Sequence, residues 1–157
     1  MPASLNVSAR KNKPRKNKPG QNENMNNNMN ENTCRVLIVD DNRVNRIKAT
    51  RALKSGNYEV SEAAGGQEAL DILRSRDFHL VLLDILMPEV DGFQVLEQMQ
   101  SDQQLATIPV IMVSAVDEEE DVRRCLAMGA VDYITKPFDI EVLQDRISTH
   151  LQNASPG

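Results

Sequence analysis

From position 34 the chain alternates short apolar runs with amphipathic stretches, and this alternation restricts the fold more than any other feature of its 157 residues. "RVLIVD" (35–40), "YEVSEA" (58–63), "HLVLLD" (79–84), "IPVIMVS" (108–114) and "VDYIT" (131–135) read as five strands. "RVNRIKATRALKS" (43–55), "QEALDILRSR" (67–76), "FQVLEQMQS" (93–101), "DEEEDVRRCLAM" (117–128) and "DIEVLQDRISTHL" (139–151) read as five helices. Ile140, Leu143, Ile147 and Leu151 recur at helical spacing and give the last of these an apolar stripe. Leu70 and Leu73 share a face of the second helix, and Phe93, Leu96 and Met99 point inward from the third. Strands that are apolar along their whole length must be covered on both faces, which calls for helices above and below a parallel sheet. The expected fold is therefore α/β: a doubly wound, five-stranded parallel sheet with five helices. With 3% aromatic residues and no Trp, its core must be aliphatic.

Local signals set the expected boundaries. Gly56 closes the first helix and Gly129 the fourth, whose N-cap is expected at Asp117, with acids in the first turn. Pro109 fits only near the start of its strand. Gly65-Gly66 is a turn before a helix; without a following GK[ST] it is no phosphate-binding P-loop.

Charge divides the chain. Residues 1–33 carry six Lys/Arg against two Glu, a balance of +4, in a basic and asparagine-rich segment without hydrophobic periodicity. They are expected to be a disordered, solvated tail, with a nuclear-import or anion-binding patch as the alternative. Residues 34–157 carry twelve Lys/Arg against twenty-one Asp/Glu, a balance of −9. Phosphates would be repelled, which argues against nucleic acid as a partner of this part. Residues 34–152 are the expected domain and 153–157 a short C-terminal tail.

Cys34 and Cys125 lack CxxC spacing and clustered histidines, so they read as reduced small hydrophobes rather than zinc ligands. His79 and His150 stand apart, without a ligand set, as surface or strand-edge residues. No apolar run approaches the roughly 20 residues that span a bilayer. No apolar stretch follows the basic N-terminus as a secretory signal would require, so a cytoplasmic location is expected. Asn6-Val7-Ser8 and Asn153-Ala154-Ser155 match the glycosylation pattern but carry no weight without secretion.

Ligands of an open parallel sheet bind beyond the carboxyl ends of its strands. The residues there are Asp40 and Asp41 after the first strand, Asp84 after the third, Ser114 at the end of the fourth, and Lys136 and Pro137 after the fifth. Three carboxylates brought together repel one another unless a cation sits among them. Oxygen donors without His or Cys suit Mg²⁺. An open carboxylate beside such a cation and a fixed ammonium forms a site for an incoming phosphoryl group. Asp84 is thus the expected acceptor, with Lys136 and Ser114 contacting the phosphoryl oxygens. Asp40 or Asp41 could also cap the helix that follows.

"VLIVDDN", "LLDILMPEVDG", "VSA" and "DYITKPF", in this order and spacing, resemble the receiver domain of two-component response regulators, the domain type of the chemotaxis regulator. The resemblance covers residues 34–151 and implies a flavodoxin-like sheet of strand order 2-1-3-4-5. It makes Asp84 the phosphorylation site and Asp40 and Asp41 the acid pair for Mg²⁺, with the backbone carbonyl of Leu86 a further ligand. Ser114 matches the switch hydroxyl, Lys136 the phosphate-pairing lysine, and Tyr133 the aromatic that turns inward with the hydroxyl. The Lys136–Pro137 peptide is implied to be cis. The implied role is a phosphoacceptor switch rather than an enzyme, charged by a histidine kinase or histidine phosphotransfer protein. The surface of the fourth helix, fifth strand and fifth helix would then act on a downstream effector, a fused output domain or a second copy of the chain. "VDDNRVNR" resembles receivers of hybrid kinases and multistep relays more than those of DNA-binding regulators.

Three other readings share features with this one. A haloacid-dehalogenase-like phosphatase needs an acid two residues past its nucleophile, where this chain has Leu86. A pseudo-receiver would lack part of the Asp40, Asp41, Asp84, Ser114 and Lys136 set, which is complete here. An FMN binder would need a hydroxyl-rich loop after the first strand, and none is present. Leu86 and Val116 lie two residues past the acceptor and the hydroxyl, and are expected to screen the acyl phosphate from water.

Overall fold

The structure, a computed structural model, describes residues 33–154. The tail assigned to 1–33, apart from Thr33, lies outside the described residues, as do the last three of residues 153–157 and the asparagine of the first glycosylation match.

Five strands, β1 (Cys34–Val39), β2 (Tyr58–Ala63), β3 (Leu80–Leu83), β4 (Val110–Ser114) and β5 (Asp132–Thr135), form one sheet. All its pairs are parallel, in the order β2-β1-β3-β4-β5. The helices are α1 (Arg43–Leu53), α2 (Gly66–Ser75), α3 (Gly92–Gln100), α4 (Glu119–Ala127) and α5 (Ile140–Ala154), with one 3₁₀ turn at Leu105–Thr107. This is the expected doubly wound α/β architecture.

The pleat separates the apolar runs into two cores. Leu37, Val39, Val81, Leu83, Val110 and Met112 face α2 and α3, where Leu70, Leu73, Leu96 and Met99 meet them. Val36, Ile38, Leu80, Leu82, Ile111 and Val113 face α1 and α5, which contribute Ala52, Leu53, Leu143 and Ile147. Alternate side chains point to opposite faces of a strand, so a strand covered on both sides is apolar at every position. Each fully buried Leu or Ile contributes about 1.5–3 kcal/mol.

Several boundaries differ from expectation. The cap of α1 is Asn42, whose side chain accepts the Asn45 N–H at 3.0 Å, rather than Asp40 or Asp41. The cap position of α4 is Glu118, without a side-chain bond, rather than Asp117. The acids Glu119, Glu120 and Asp121 lie in the first turn of α4, where the helix dipole favours them. Helix α5 runs to Ala154, beyond the expected end at 151 and into the segment assigned to the C-terminal tail. Nothing in Gln152-Asn153-Ala154 breaks a helix. Phe93 is only half-buried, with the Arg124 guanidinium 3.8 Å from its ring centre. Gly129 ends α4 as expected, at φ +112°, a backbone conformation that glycine adopts without steric cost.

Candidate functional site at the carboxyl edge of the sheet

The strand register assembles the site. Val39 pairs with Leu83, so the next residues, Asp40 and Asp84, leave neighbouring strands at one level. The Asp84 N–H donates to the Val39 carbonyl at 3.0 Å, and the Asp40 N–H to the Ala63 carbonyl at 3.1 Å. On the other side of β3, Ser114 closes β4, and its carbonyl accepts the Lys136 N–H at 2.9 Å. The Lys136–Pro137 peptide is cis.

Side chains complete the convergence. Asp40, Asp41 and Asp84 each offer a carboxylate oxygen, and these atoms lie within 4.8 Å of one another. Lys136 Nζ stands 2.6 Å from Asp40 Oδ2 and 3.3 Å from Asp84 Oδ2. Asp40 and Asp84 are buried, Asp41 is exposed and Ser114 is fully buried. Three formal negative charges thus face one ammonium. Burial raises the Asp84 carboxyl above its ordinary pKa; Lys136 pulls it down, and Asp40 adds to the rise. Asp84 Oδ1 is buried without a hydrogen-bond partner, a costly arrangement for a carboxylate oxygen. An excess of oxygen donors and an orphaned oxygen fit a hard divalent cation such as Mg²⁺.

Two further residues meet at Val116, in the loop after β4. The Tyr133 hydroxyl donates to the Val116 carbonyl, and the Val116 N–H donates to Ser114 Oγ at 3.3 Å. Burial, as the largest cause, pushes the Tyr133 phenol up to about 12. Leu86 turns outward at the rim and is 60% exposed.

Three further residues shape the site. Asn42 caps α1 and donates its own N–H to Asp40 Oδ1 at 2.9 Å, holding that carboxylate toward Lys136. Arg46 bonds the Asp40 carbonyl and the Glu62 carboxylate. Gly92 opens α3 against the segment that follows β3: a Cβ there would lie 2.2 Å from the Asp84 carbonyl oxygen and 2.7 Å from Ile85 Cα. The turn that brings Gly92 there bonds Val90 N–H to Pro88 and Gly92 N–H to Ile85, and a reciprocal Asp91–Gln94 capping box starts the helix. The "DG" in the sequence was the available signal for the last of these; Asn42 and Arg46 depend on side-chain reach. Farther away, His150, read as a lone surface or edge residue, sits 2.9 Å from Asp132, which also binds Arg146.

Fold and site together define a flavodoxin-like α/β protein with an acidic, lysine-paired cluster at the carboxyl edge of its sheet. The family model described as response regulator receiver domain matches residues 36–148. Protein PilH of Pseudomonas aeruginosa is 38% identical over 117 residues, covering 74% of this chain and 97% of PilH. A probable cyclic di-GMP phosphodiesterase of Vibrio cholerae is 40% identical over 120 residues, but the chain spans only 27% of its length. A CheY-like response regulator receiver domain protein of Methanospirillum hungatei superposes with a TM-score of 0.72 at 30% identity, covering 78% of this chain and 96% of that one. The chain belongs to the response regulator receiver domain family of two-component signalling. Among the described residues no helix is long and apolar enough to cross a membrane.

Proposed function

We propose that residues 34–152 form a cytoplasmic phosphoacceptor switch that takes a phosphoryl group on Asp84 from a histidine kinase or histidine phosphotransfer protein. One observation carries this reading. A buried carboxylate with an orphaned oxygen lies within 3.3 Å of a lysine ammonium and beside two further acids.

In the reaction an Asp84 oxygen attacks the phosphorus of a phosphohistidine. The P–N bond breaks, and the imidazole leaves with its electron pair and takes up a proton. Lys136 balances charge on the transferred oxygens, and Ser114 Oγ donates a hydrogen bond to one of them. Asp40, Asp41, Asp84 and the Leu86 carbonyl would hold Mg²⁺, which when bound supplies positive charge to the phosphoryl oxygens. Drawing Ser114 toward the phosphoryl group alters its bond to Val116, and Tyr133 is bonded to that same residue. Phosphorylation of Asp84 would thereby bias the surface of α4, β5 and α5, through which the domain acts on an effector, an output domain or a second copy.

Incubation with Mg²⁺ and acetyl phosphate, followed by intact mass spectrometry, tests the reading. The expected result is a gain of one phosphoryl group that is absent in Asp84→Asn and absent with chelator. Labelling that survives Asp84→Asn would refute it.

A further inference from the structure

We infer that Arg46 is a positioning residue for the divalent cation, acting through the main chain of Asp40 and held for that task by Glu62. The inference rests on the reading of Asp40, Asp41 and Asp84 as the cation-binding set.

Arg46 lies on the first turn of α1, and its side chain is 15% exposed. One guanidinium serves two partners: Nη1 donates to the Asp40 carbonyl at 2.7 Å, and Nε donates to Glu62 Oε1 at 2.9 Å. Glu62 belongs to β2, paired with Ile38 of β1, so its position is set by the sheet rather than by the loop. The bridge therefore ties the residue that begins the acidic loop to a rigid neighbouring strand.

Asp40 is fixed from both ends. Its carboxylate is held by the Asn42 N–H and by Lys136 Nζ, and its carbonyl by Arg46. A planar guanidinium with several donors can span two acceptors at once, whereas a lysine ammonium is a point charge on a flexible stem. Without the bridge, the Asp40 carbonyl loses its side-chain anchor, and the segment that leads to Asp41 is held only by the Asp40 N–H on the Ala63 carbonyl and by the two contacts to its carboxylate. Both acids must then be ordered when the cation binds, and affinity falls. Groups that hold a metal ligand in place typically matter about 10–100-fold in metal affinity.

The test is isothermal titration of the whole chain with Mg²⁺, beside thermal melts, for the parent, Arg46→Ala, Arg46→Lys and Glu62→Gln. Arg46→Ala is expected to weaken Mg²⁺ binding about tenfold and Glu62→Gln about threefold, with Arg46→Lys between parent and alanine variant. Labelling by acetyl phosphate should lose affinity for Mg²⁺ but recover the parental rate at saturating Mg²⁺, a split that a merely structural role would not produce. Folded variants whose Mg²⁺ affinities all stay within twofold of the parent overturn the inference, whatever their melting temperatures. If Arg46→Ala does not fold, Glu62→Gln and Arg46→Lys decide by the same criterion. A parent that binds Mg²⁺ and is labelled while the variants match it sinks this inference alone; a parent that binds no Mg²⁺ sinks the functional reading and this inference with it.

Discussion

Replacing Gly92 by alanine adds one methyl group where the end of β3 and α3 touch. The new Cβ would meet the Asp84 carbonyl oxygen at 2.2 Å, Ile85 Cα at 2.7 Å and the Asp84 carbonyl carbon at 2.9 Å. Every one of these is backbone, so no side chain can swing aside. An unstrained carbon–oxygen contact is near 3.3 Å, and relief demands a shift of about 1 Å in either α3 or residue 84. Overpacking of this kind costs about 1–3 kcal/mol. Alanine gains up to about 1 kcal/mol over glycine inside a helix, but less at a first helical residue. The expected net loss is about 2 kcal/mol, or about 8 °C in Tm for a domain of this size. Gly65 supplies the control, because a Cβ there meets nothing within 4 Å. Gly65→Ala should stay within about 0.5 kcal/mol of the parent. Urea unfolding followed by circular dichroism measures both variants, and acetyl phosphate labelling should slow in Gly92→Ala only. Equal stability of the two variants with equal labelling would refute the close-approach argument.

Other consequences follow from the charges and from the rim. Burial raises the Asp84 pKa, so the folded state holds that proton more tightly than the unfolded chain, and ionisation costs stability. The penalty is full above the folded pKa and absent below the ordinary carboxylate range; without divalent cation, Asp84→Asn should therefore raise Tm at pH 7 and lose that advantage as pH falls through this interval. Mg²⁺ at ten times its Kd should stabilise the parent by about 1.4 kcal/mol and the Asp84→Asn variant by less, read from melts with and without chelator. Lys136→Met leaves Asp40 and Asp84 facing each other without their ammonium, and chemical denaturation should register a loss of about 1–3 kcal/mol in the absence of Mg²⁺. Leu86→Asn places a polar group at the exposed rim and should speed loss of phosphate from the labelled protein; unchanged decay in a time course would remove the screening role of Leu86.

Much of the molecule was legible as sequence, for identifiable reasons. Apolar runs such as Leu80–Leu83 and the spacing of Leu143 and Ile147 report burial directly, because period and accessibility are properties of a single segment. A parallel sheet places its carboxyl ends on one edge, so Asp40, Asp84, Ser114 and Lys136 could be grouped before any distance was known. The strand order came from the family likeness, since periodicity carries no information about which strands are neighbours. Boundaries were less secure. Asp40, Asp41 and Asn42 can all cap a helix, and the choice of Asn42 depends on Asp40 being drawn toward Lys136 from 96 positions away.

By itself, then, the chain's pattern determined which segments are strands and helices, which side of each is apolar, and which polar residues end the strands. Tertiary structure decided the rest: the Arg46 bridge to Glu62, the contact of Gly92 with the Asp84 carbonyl, and the link from Ser114 through Val116 to Tyr133. The physical reason is range. Burial is written into each segment's own composition, whereas a hydrogen bond or steric contact of about 3 Å exists only once separate segments have been brought into register.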